Sequence, residues 1–454
     1  MNECEHEGSV SEASYTDSGT FLNWAKGCFT PLALGNDYSV AELTAFRKVI
    51  GGANVVALTE AVHGGAEPLE LRNNLFRYLV EEEGFTAIAI ESGTVEGRLV
   101  HDYVRGAEGD LAQVLSHGIS WTFDQLPQNR ALLRWMREYN LNPRNRRKIN
   151  FYGFDVPGSP GNPDVKFGLS VALVEIARYL ESVDPARGAS LRARLEPHLR
   201  YIRFSFRPAL GMEGYEQLSA AERDAVTACI ADLITLLEQR EAQYIEGSSE
   251  SDYAWGYQAA RGAQQVDSWL RQIPIGWRPS SGPLDFPSED TAFYAAAADV
   301  RDRAQANNLD WILRREGPDA KVLIFGSRFH LSNAPVKTSW SMLPERRQTP
   351  AGTYLRSWLG SKLVTIGNLV RHGEFYSAGA THRLDPAAAV SLDGIVGELG
   401  RSSFLLDLRS APPDISAWLK REHCLGPPNG LLEVSAGTAF DALFYVDRVT
   451  PADA

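Results

Sequence analysis

The stretch VVALTEAVHGGAEPLELR, Val55–Arg72, decides the fold. It opens with Val55-Val56-Ala57-Leu58, an apolar run suited to a parallel strand covered on both faces. Thr59, Glu60 and His63 follow at once, and Gly64 and Gly65 then permit a sharp turn. From Glu67 the spacing is helical, with Leu71, Leu75 and Leu79 at four-residue steps and Phe76 and Tyr78 between them. A second apolar run, Ala87-Ile88-Ala89-Ile90, ends on Glu91. Strand, polar turn, helix and strand make an α/β unit, in which ligands gather at the carboxyl ends of the strands. Glu60, His63 and Glu91 all fall at such ends.

Upstream of this unit, Val40–Val49 reads as an amphipathic helix, and Phe21–Leu34 as an apolar segment that packs on the core. Residues 1–19 are acidic and polar and read as a flexible tail. Downstream, Gly97–Val104 reads as a helix carrying His101, Asp102 and Tyr103. Ile119–Asp124 is an aromatic turn containing Trp121, Gln128–Tyr139 is a helix, and Ile149–Phe154 is a strand delivering Asp155 at its end. The basic run Arg144–Lys148 reads as a solvated loop.

Between 165 and 275 helical periodicity dominates, over Leu169–Leu180, Ala189–Ile202, Ser219–Gln239 and Ser251–Ile273. Residues 274–287 are rich in proline and form an exit loop. Ser288 is placed to cap a helix running to Arg315. The strand Lys321–Phe325 then ends in Gly326-Ser327-Arg328-Phe329-His330. Residues 333–351 read as a surface loop, Leu363–Leu369 as a strand, 380–400 as a loop and a helix over Ala387–Leu399. Ser403–Leu408 and Ala442–Val446 read as closing strands. The expected architecture is α/β, with a mostly parallel central sheet flanked by helices. Two core halves, 20–164 and 276–454, would enclose a helical insertion, 165–275, that caps the active-site cleft.

The chain has 454 residues, 44% hydrophobic and 22% charged, as in an ordinary globular protein. Its net charge of −12 argues against a general nucleic-acid binder and disfavours anionic membrane surfaces. The four cysteines, Cys4, Cys28, Cys229 and Cys424, are widely spaced and form no CxxC pair, which fits a reducing cytosol. No basic segment precedes an apolar leader, and no run is apolar and long enough to cross a bilayer. These features together predict a soluble cytoplasmic protein, and the charge is compatible with a neutral or cationic small-molecule partner without choosing one.

Thr59-Glu60-Ala61-Val62-His63-Gly64, with Glu67, Leu71-Arg72, Gly84-Phe85 and Ile90-Glu91, resembles the opening motif of the erythromycin esterase family. That motif is Gly-Glu-x-x-His-Gly followed by a Glu-x-x-x-Leu-Arg helix. Trp135-Met136-Arg137-Glu138-Tyr139-Asn140, Tyr152-Gly153-Phe154-Asp155, Arg301-Asp302 with Asn308, and Phe440-Asp441-Ala442 follow in the family's order. The resemblance implies metal-independent hydrolysis of a macrolide lactone, with a histidine that activates water beside carboxylates and an arginine. Those positions match His63, Glu60, Glu91 and Arg72. The chain departs from the pattern in three places. Thr59 replaces the motif's glycine, Gln128 stands where an acid is usual, and Ser327-Arg328-Phe329-His330 replaces His-Asn-x-His.

Read by their chemistry, these residues divide into roles. His63 is the candidate general base, with Glu60 or Glu91 orienting its ring and stabilising the imidazolium; the alternative is a histidine that only braces the turn. Glu91 ends an apolar strand and needs a partner. Arg72 could hold it or stabilise an oxyanion. His330 is the candidate partner on a second strand end. Ser327, Arg328, Tyr103 and Trp121 are candidate substrate contacts. Ser327 lacks the Gly-x-Ser-x-Gly elbow of a nucleophile. Asp155 and Asp302 read as organisers of loops and helix ends. Glu60, His63, Glu91 and His330 would also make a credible set of nitrogen and oxygen metal ligands, but there is no HExxH pair and the resemblance implies metal independence, so neither metal nor cofactor is expected. The expected activity is hydrolysis of an ester or lactone in a macrolide or polyketide-like metabolite, in antibiotic resistance or in biosynthesis. The alternatives are a histidine-dependent elimination, isomerisation or cyclisation, and a binding protein on the same fold.

Overall fold

The computed structural model describes residues 12–33, 35, 38–158, 169–199, 215–274, 292–338, 347–377, 379–426 and 432–452. The expected exit loop beyond residue 274, the Ser288 cap, the last residues of the helix expected to reach Ile202 and the first eleven residues of the expected tail lie outside these. The fold is mixed α/β, with a mainly parallel central sheet flanked by helices. Its strands are β1 (Thr30–Pro31), β2 (Val55–Glu60), β3 (Ala87–Gly93), β4 (Asn150–Asp155), β5 (Val322–Ser327), β6 (Lys337–Thr338), β7 (Leu363–Ser377), β8 (Ala380–Leu384), β9 (Ser403–Asp407), β10 (Glu422–Leu425), β11 (Leu432–Ser435) and β12 (Ala442–Val449).

The chain forms two compact units. The first comprises residues 1–90, 126–150 and 309–454. Within it the strand order is β1-β9-β12-β7-β2-β5-β3. β2 runs parallel to both β5 and β7, and β7 runs parallel to β12. β9 joins β12 antiparallel, and β8 folds back antiparallel on β7. All six residues of β2 are buried, as an apolar strand between two parallel neighbours must be. Burying each of its valines and its leucine contributes roughly 1.5–3 kcal/mol. Phe21, Leu369, Phe404, Trp418 and Tyr445 belong to one core cluster of this unit.

The second unit comprises 91–125 and 151–308. It holds the carboxyl ends of β3 and β4 and helices over Leu169–Val183, Pro185–Leu199, Ala220–Gln239 and Glu250–Leu270. Their apolar faces meet in a core containing Leu173, Ile176, Leu180, Ile230, Leu237 and Val266. Ser219 and Glu222 form a reciprocal capping box at the start of the third of these helices.

Several elements differ from their expected bounds. A helix spans Glu12–Cys28 and so begins within the expected tail. The described part of 333–351 is not a surface loop, because Asn333, Ala334, Val336 and Gln348 are buried and β6 pairs with β11. A two-residue strand is too short to display alternation. β7 runs on through His372, Glu374 and Tyr376 to pair with β8, and the helix expected over Ala387–Leu399 is confined to Leu392–Gly397, where Ser391 caps it. No described helix is long and apolar enough to cross a membrane.

Candidate active site

β2 ends on Glu60, directly opposite Ser327 at the end of β5 in the parallel register. The chain then turns through His63-Gly64-Gly65 into the helix Ala66–Glu83. Within this turn the imidazole Nδ1 of His63 lies 2.8 Å from Oε1 of Glu60. The ring is 42% exposed, whereas the Glu60 side chain is only 4% exposed. In the neutral tautomer that donates from Nδ1 to the carboxylate, the Nε2 lone pair is the basic one.

Three features hold the turn. Gly64 has φ +76°, and a Cβ there would come 1.8 Å from the carbonyl oxygen of Tyr376, so only glycine fits. The Gly64 carbonyl accepts from the backbone N–H groups of Tyr376 and Ala452, at 3.0 and 2.9 Å. Glu67 accepts from the Thr450 N–H and hydroxyl, at 2.9 and 2.7 Å. The motif glutamate thus ties the helix start to the chain beyond β12.

Thr59, standing where the motif has glycine, is fully buried. Its hydroxyl accepts from the Asn368 N–H at 2.8 Å, while the Asn368 side-chain oxygen accepts from the Ala61 N–H at 2.9 Å. Asn368, which sequence reasoning missed, therefore straps β2 to β7 just ahead of His63.

Glu60 Oε2 is buried without a hydrogen-bond partner among the described residues. A buried carboxylate needs a compensating charge, and Arg72 supplies one. Burial pushes the Arg72 guanidinium down to about 10, and the Glu60 carboxylate opposes that fall. Arg72 donates from Nε and Nη2 to Asn73 Oδ1, at 3.0 and 2.8 Å, and lies over the Phe325 ring at 4.9 Å. His330 is buried on the short helix Arg328–Leu331 that follows Ser327. Ser327 caps that helix, accepting from the Phe329 N–H. Arg328 is buried and donates to Asp393 Oδ1 at 3.1 Å and to the Asn368 carbonyl at 3.0 Å. Its guanidinium is thus engaged by the protein's own acceptors.

In the second unit, Glu91 sits near the end of β3 with Arg301 as its cation, Nη2 to Oε1 at 3.1 Å. The same guanidinium grips Asp155 from Nε at 3.0 Å and from Nη2 at 2.5 Å. Asp155 also accepts from Gln305 Nε2, Trp121 Nε1 and its neighbour's N–H at Val156. A carboxylate with this many donors is an organiser and has little capacity left for proton transfer. Burial pulls the Arg301 pKa down, but Asp155 and then Glu91 raise it above the usual guanidinium range. The Trp121 ring lies 5.2 Å from the Arg301 guanidinium carbon. Tyr103 is buried on Gly97–Val104. Arg301 was visible in sequence as part of Arg301-Asp302, but nothing there paired it with Glu91.

The structure thus brings Glu60, His63 and Arg72 together, puts Ser327 opposite Glu60 with His330 three residues on, and clamps Glu91 on Arg301. Among the described residues no group of three or more histidine, cysteine or acidic side chains is arranged to hold a metal ion.

Comparison with known proteins follows the same lines. Erythromycin esterase type II of Escherichia coli is 23% identical over 352 residues, 76% of each chain. A Bacillus cereus protein of known crystal structure superposes with a TM-score of 0.74 at 24% identity, covering 96% of this chain and 98% of its own. An erythromycin esterase mutant solved in an open conformation gives a TM-score of 0.68 at 18% identity, covering 92% and 96%. The family model for erythromycin esterase matches residues 80–449 and leaves the Glu60–Arg72 segment ahead of the matched span. With most of its length matched by that model, the chain belongs to the erythromycin esterase family.

Proposed function

We propose that this protein hydrolyses an ester or lactone in a macrolide or polyketide-like small molecule, with His63 activating water. The observation that carries the reading is the Glu60–His63 pair, a half-exposed imidazole held by a buried carboxylate at a parallel strand end. Family membership supports a hydrolase acting on esters.

In this reading Glu60 keeps the Nδ1 proton in place, and Nε2 takes a proton from water as the water oxygen attacks the carbonyl carbon. Glu60 stabilises the imidazolium that forms. The tetrahedral intermediate then collapses with cleavage of the C–O bond, and His63 returns its proton to the leaving alkoxide. Arg72 balances the Glu60 charge, and His330 steadies the carbonyl oxygen. Ser327 and Arg328 shape that wall, Arg328 through Asp393. Glu91 as a supporting carboxylate, and Tyr103 and Trp121 as substrate contacts, enter from the motif and from their chemistry.

The test is mass spectrometry after incubation with candidate macrolides and polyketide lactones in ¹⁸O-labelled water, with His63→Ala and EDTA-treated protein alongside. A product that gains labelled water, disappears in His63→Ala and survives EDTA is expected. An unlabelled product that still depends on His63 would overturn hydrolysis in favour of elimination or cyclisation. Activity lost with EDTA and restored by added metal would overturn the proposed role of His63 as a metal-free base.

A further inference from the structure

Five residues after Glu91, a second acid of the same unit is buried with no opposite charge on it among the described residues. Glu96 precedes the helix Gly97–Val104 and is only 7% exposed. Its Oε1 accepts from the Ser120 hydroxyl at 2.5 Å and the Gly158 N–H at 2.8 Å. Its Oε2 is buried with no partner among the described residues. The site is fitted closely around this carboxyl. A Cβ on Gly93 would lie 2.0 Å from Oε1, and a Cβ on Gly158 would lie 2.7 Å from that of Ser120. Ser120 in turn accepts from the Gly93 N–H at 3.0 Å, and its own N–H donates to the Ser92 hydroxyl at 2.9 Å.

What Ser120 anchors is unusual. Trp121 and Thr122, the next two residues, have φ of +63° and +67° and are the only described non-glycine residues with positive φ. Such a conformation is costly for a residue with a Cβ and persists only where surrounding contacts impose it. The strained turn directs the Trp121 indole N–H to Asp155 Oδ2 at 3.0 Å and sets its ring against Arg301. Arg301 is the residue that grips Glu91.

We propose that Glu96 is a positioning residue: through Ser120 it imposes the left-handed Trp121-Thr122 turn, and through Trp121 it fixes the Arg301 clamp on Asp155 and Glu91. The relevance to turnover rests on the hydrolase reading; the linkage itself does not. Burial pushes the Glu96 carboxyl up to about 7, with Ser120 and Gly158 pulling it down and Asp155 adding to the rise. Its role is that of an acceptor and needs no charge.

The test reads Trp121 directly. Its emission is isolated by subtracting the spectrum of the matching Trp121→Phe protein, in the full chain and in Glu96→Ala, Glu96→Gln and Ser120→Ala backgrounds. Glu96→Ala and Ser120→Ala are expected to shift the Trp121 emission to the red and to open it to acrylamide quenching. Glu96→Gln keeps the Oε1 acceptor and is expected to retain the parental spectrum. With a substrate in hand, kcat is expected to fall in Glu96→Ala and to be restored in Glu96→Gln. A folded Glu96→Ala protein with unchanged Trp121 emission would overturn the linkage, as would a Glu96→Gln protein that behaves like Glu96→Ala. If Glu96→Ala does not fold, Ser120→Ala decides alone, since it cuts the connection and leaves the carboxyl. Failure of the labelled-water experiment together with a positive Trp121 result would remove the hydrolase reading and leave the linkage standing.

Discussion

Glu60 and His63 are joined by a 2.8 Å contact between carboxylate Oε1 and imidazole Nδ1, across one turn of chain at the end of a fully buried strand. The contact fixes the ring against a carboxylate that is itself buried. Replacing His63 by alanine is expected to lower ester turnover by about 10²–10⁴-fold. Glu60→Gln retains an oxygen for the Nδ1 proton but loses the charge that stabilises imidazolium, so it falls less than Glu60→Ala. Steady-state kinetics of the three variants checks the order, and equal losses in Glu60→Gln and Glu60→Ala would show that only the charge matters.

Arg301 is the cation for two buried acids, Glu91 and Asp155. Arg301→Ala removes this cation from both, and a loss of about 3–5 kcal/mol is expected for breaking such a pair. Arg301→Lys keeps the charge but lacks the fork that reaches both carboxylates, so it recovers only part of the loss. Urea unfolding of the three proteins measures this.

Gly64→Ala puts a Cβ into the Tyr376 carbonyl at a positive φ. The turn must shift, at a cost of about 1–3 kcal/mol. Because His63 is the adjacent residue, the same substitution is expected to lower kcat, and a variant with lost stability but full activity would show that the turn is not what aims the imidazole.

Thr59→Gly restores the glycine usual in the family motif. In this chain it strands the buried Asn368 N–H that the hydroxyl now accepts from. The expected effect is destabilisation by about 1–3 kcal/mol, from a buried donor left unsatisfied, seen as a lower urea midpoint.

Glu96 sets a pH dependence. Its carboxyl is raised by burial from 4.5 to about 7 in the folded chain, so the folded state holds the proton that the unfolded state has released between these values. The stability contribution is therefore full below about 4.5, falls as pH rises, and is lost once pH passes about 7. The whole difference is on the order of 3 kcal/mol. Asp155, paired with Arg301, is the charged neighbour that adds to the rise. Unfolding free energies across this range are expected to decline in the parent relative to Glu96→Gln, and parallel curves would contradict the buried, protonated acid.

Much of this was legible in the chain. Apolar runs four residues long located β2, β3 and β5, and four-residue leucine spacing located the helix Ala66–Glu83, because both patterns reflect burial directly. The Glu60–His63 pair was legible because three residues separate its members within one turn. Arg301 was not assigned to Glu91, since a partner 210 residues away leaves no mark on local spacing. Glu96 and Ser120 gave no signal, because a lone acid before a helix reads as an ordinary exposed cap. Positive φ at Trp121 and Thr122 is imposed by contacts around them, and their residue types would have argued the other way. β6 and β8 are edge pairings too short or too polar to show alternation.

The carbonyl of Gly64 accepts from Tyr376 and from Ala452, both far downstream. During synthesis the histidine turn therefore emerges long before either of its backbone donors exists. Local sequence can form β2 and the helix after it, but the turn between them is fully pinned only when both β7 and the chain beyond β12 have docked. Such long-range closure is slow compared with local structure. On the proposed function, activity would then appear only after β12 has docked, and intermediates that already contain β2 and the helix after it should be structured yet inert.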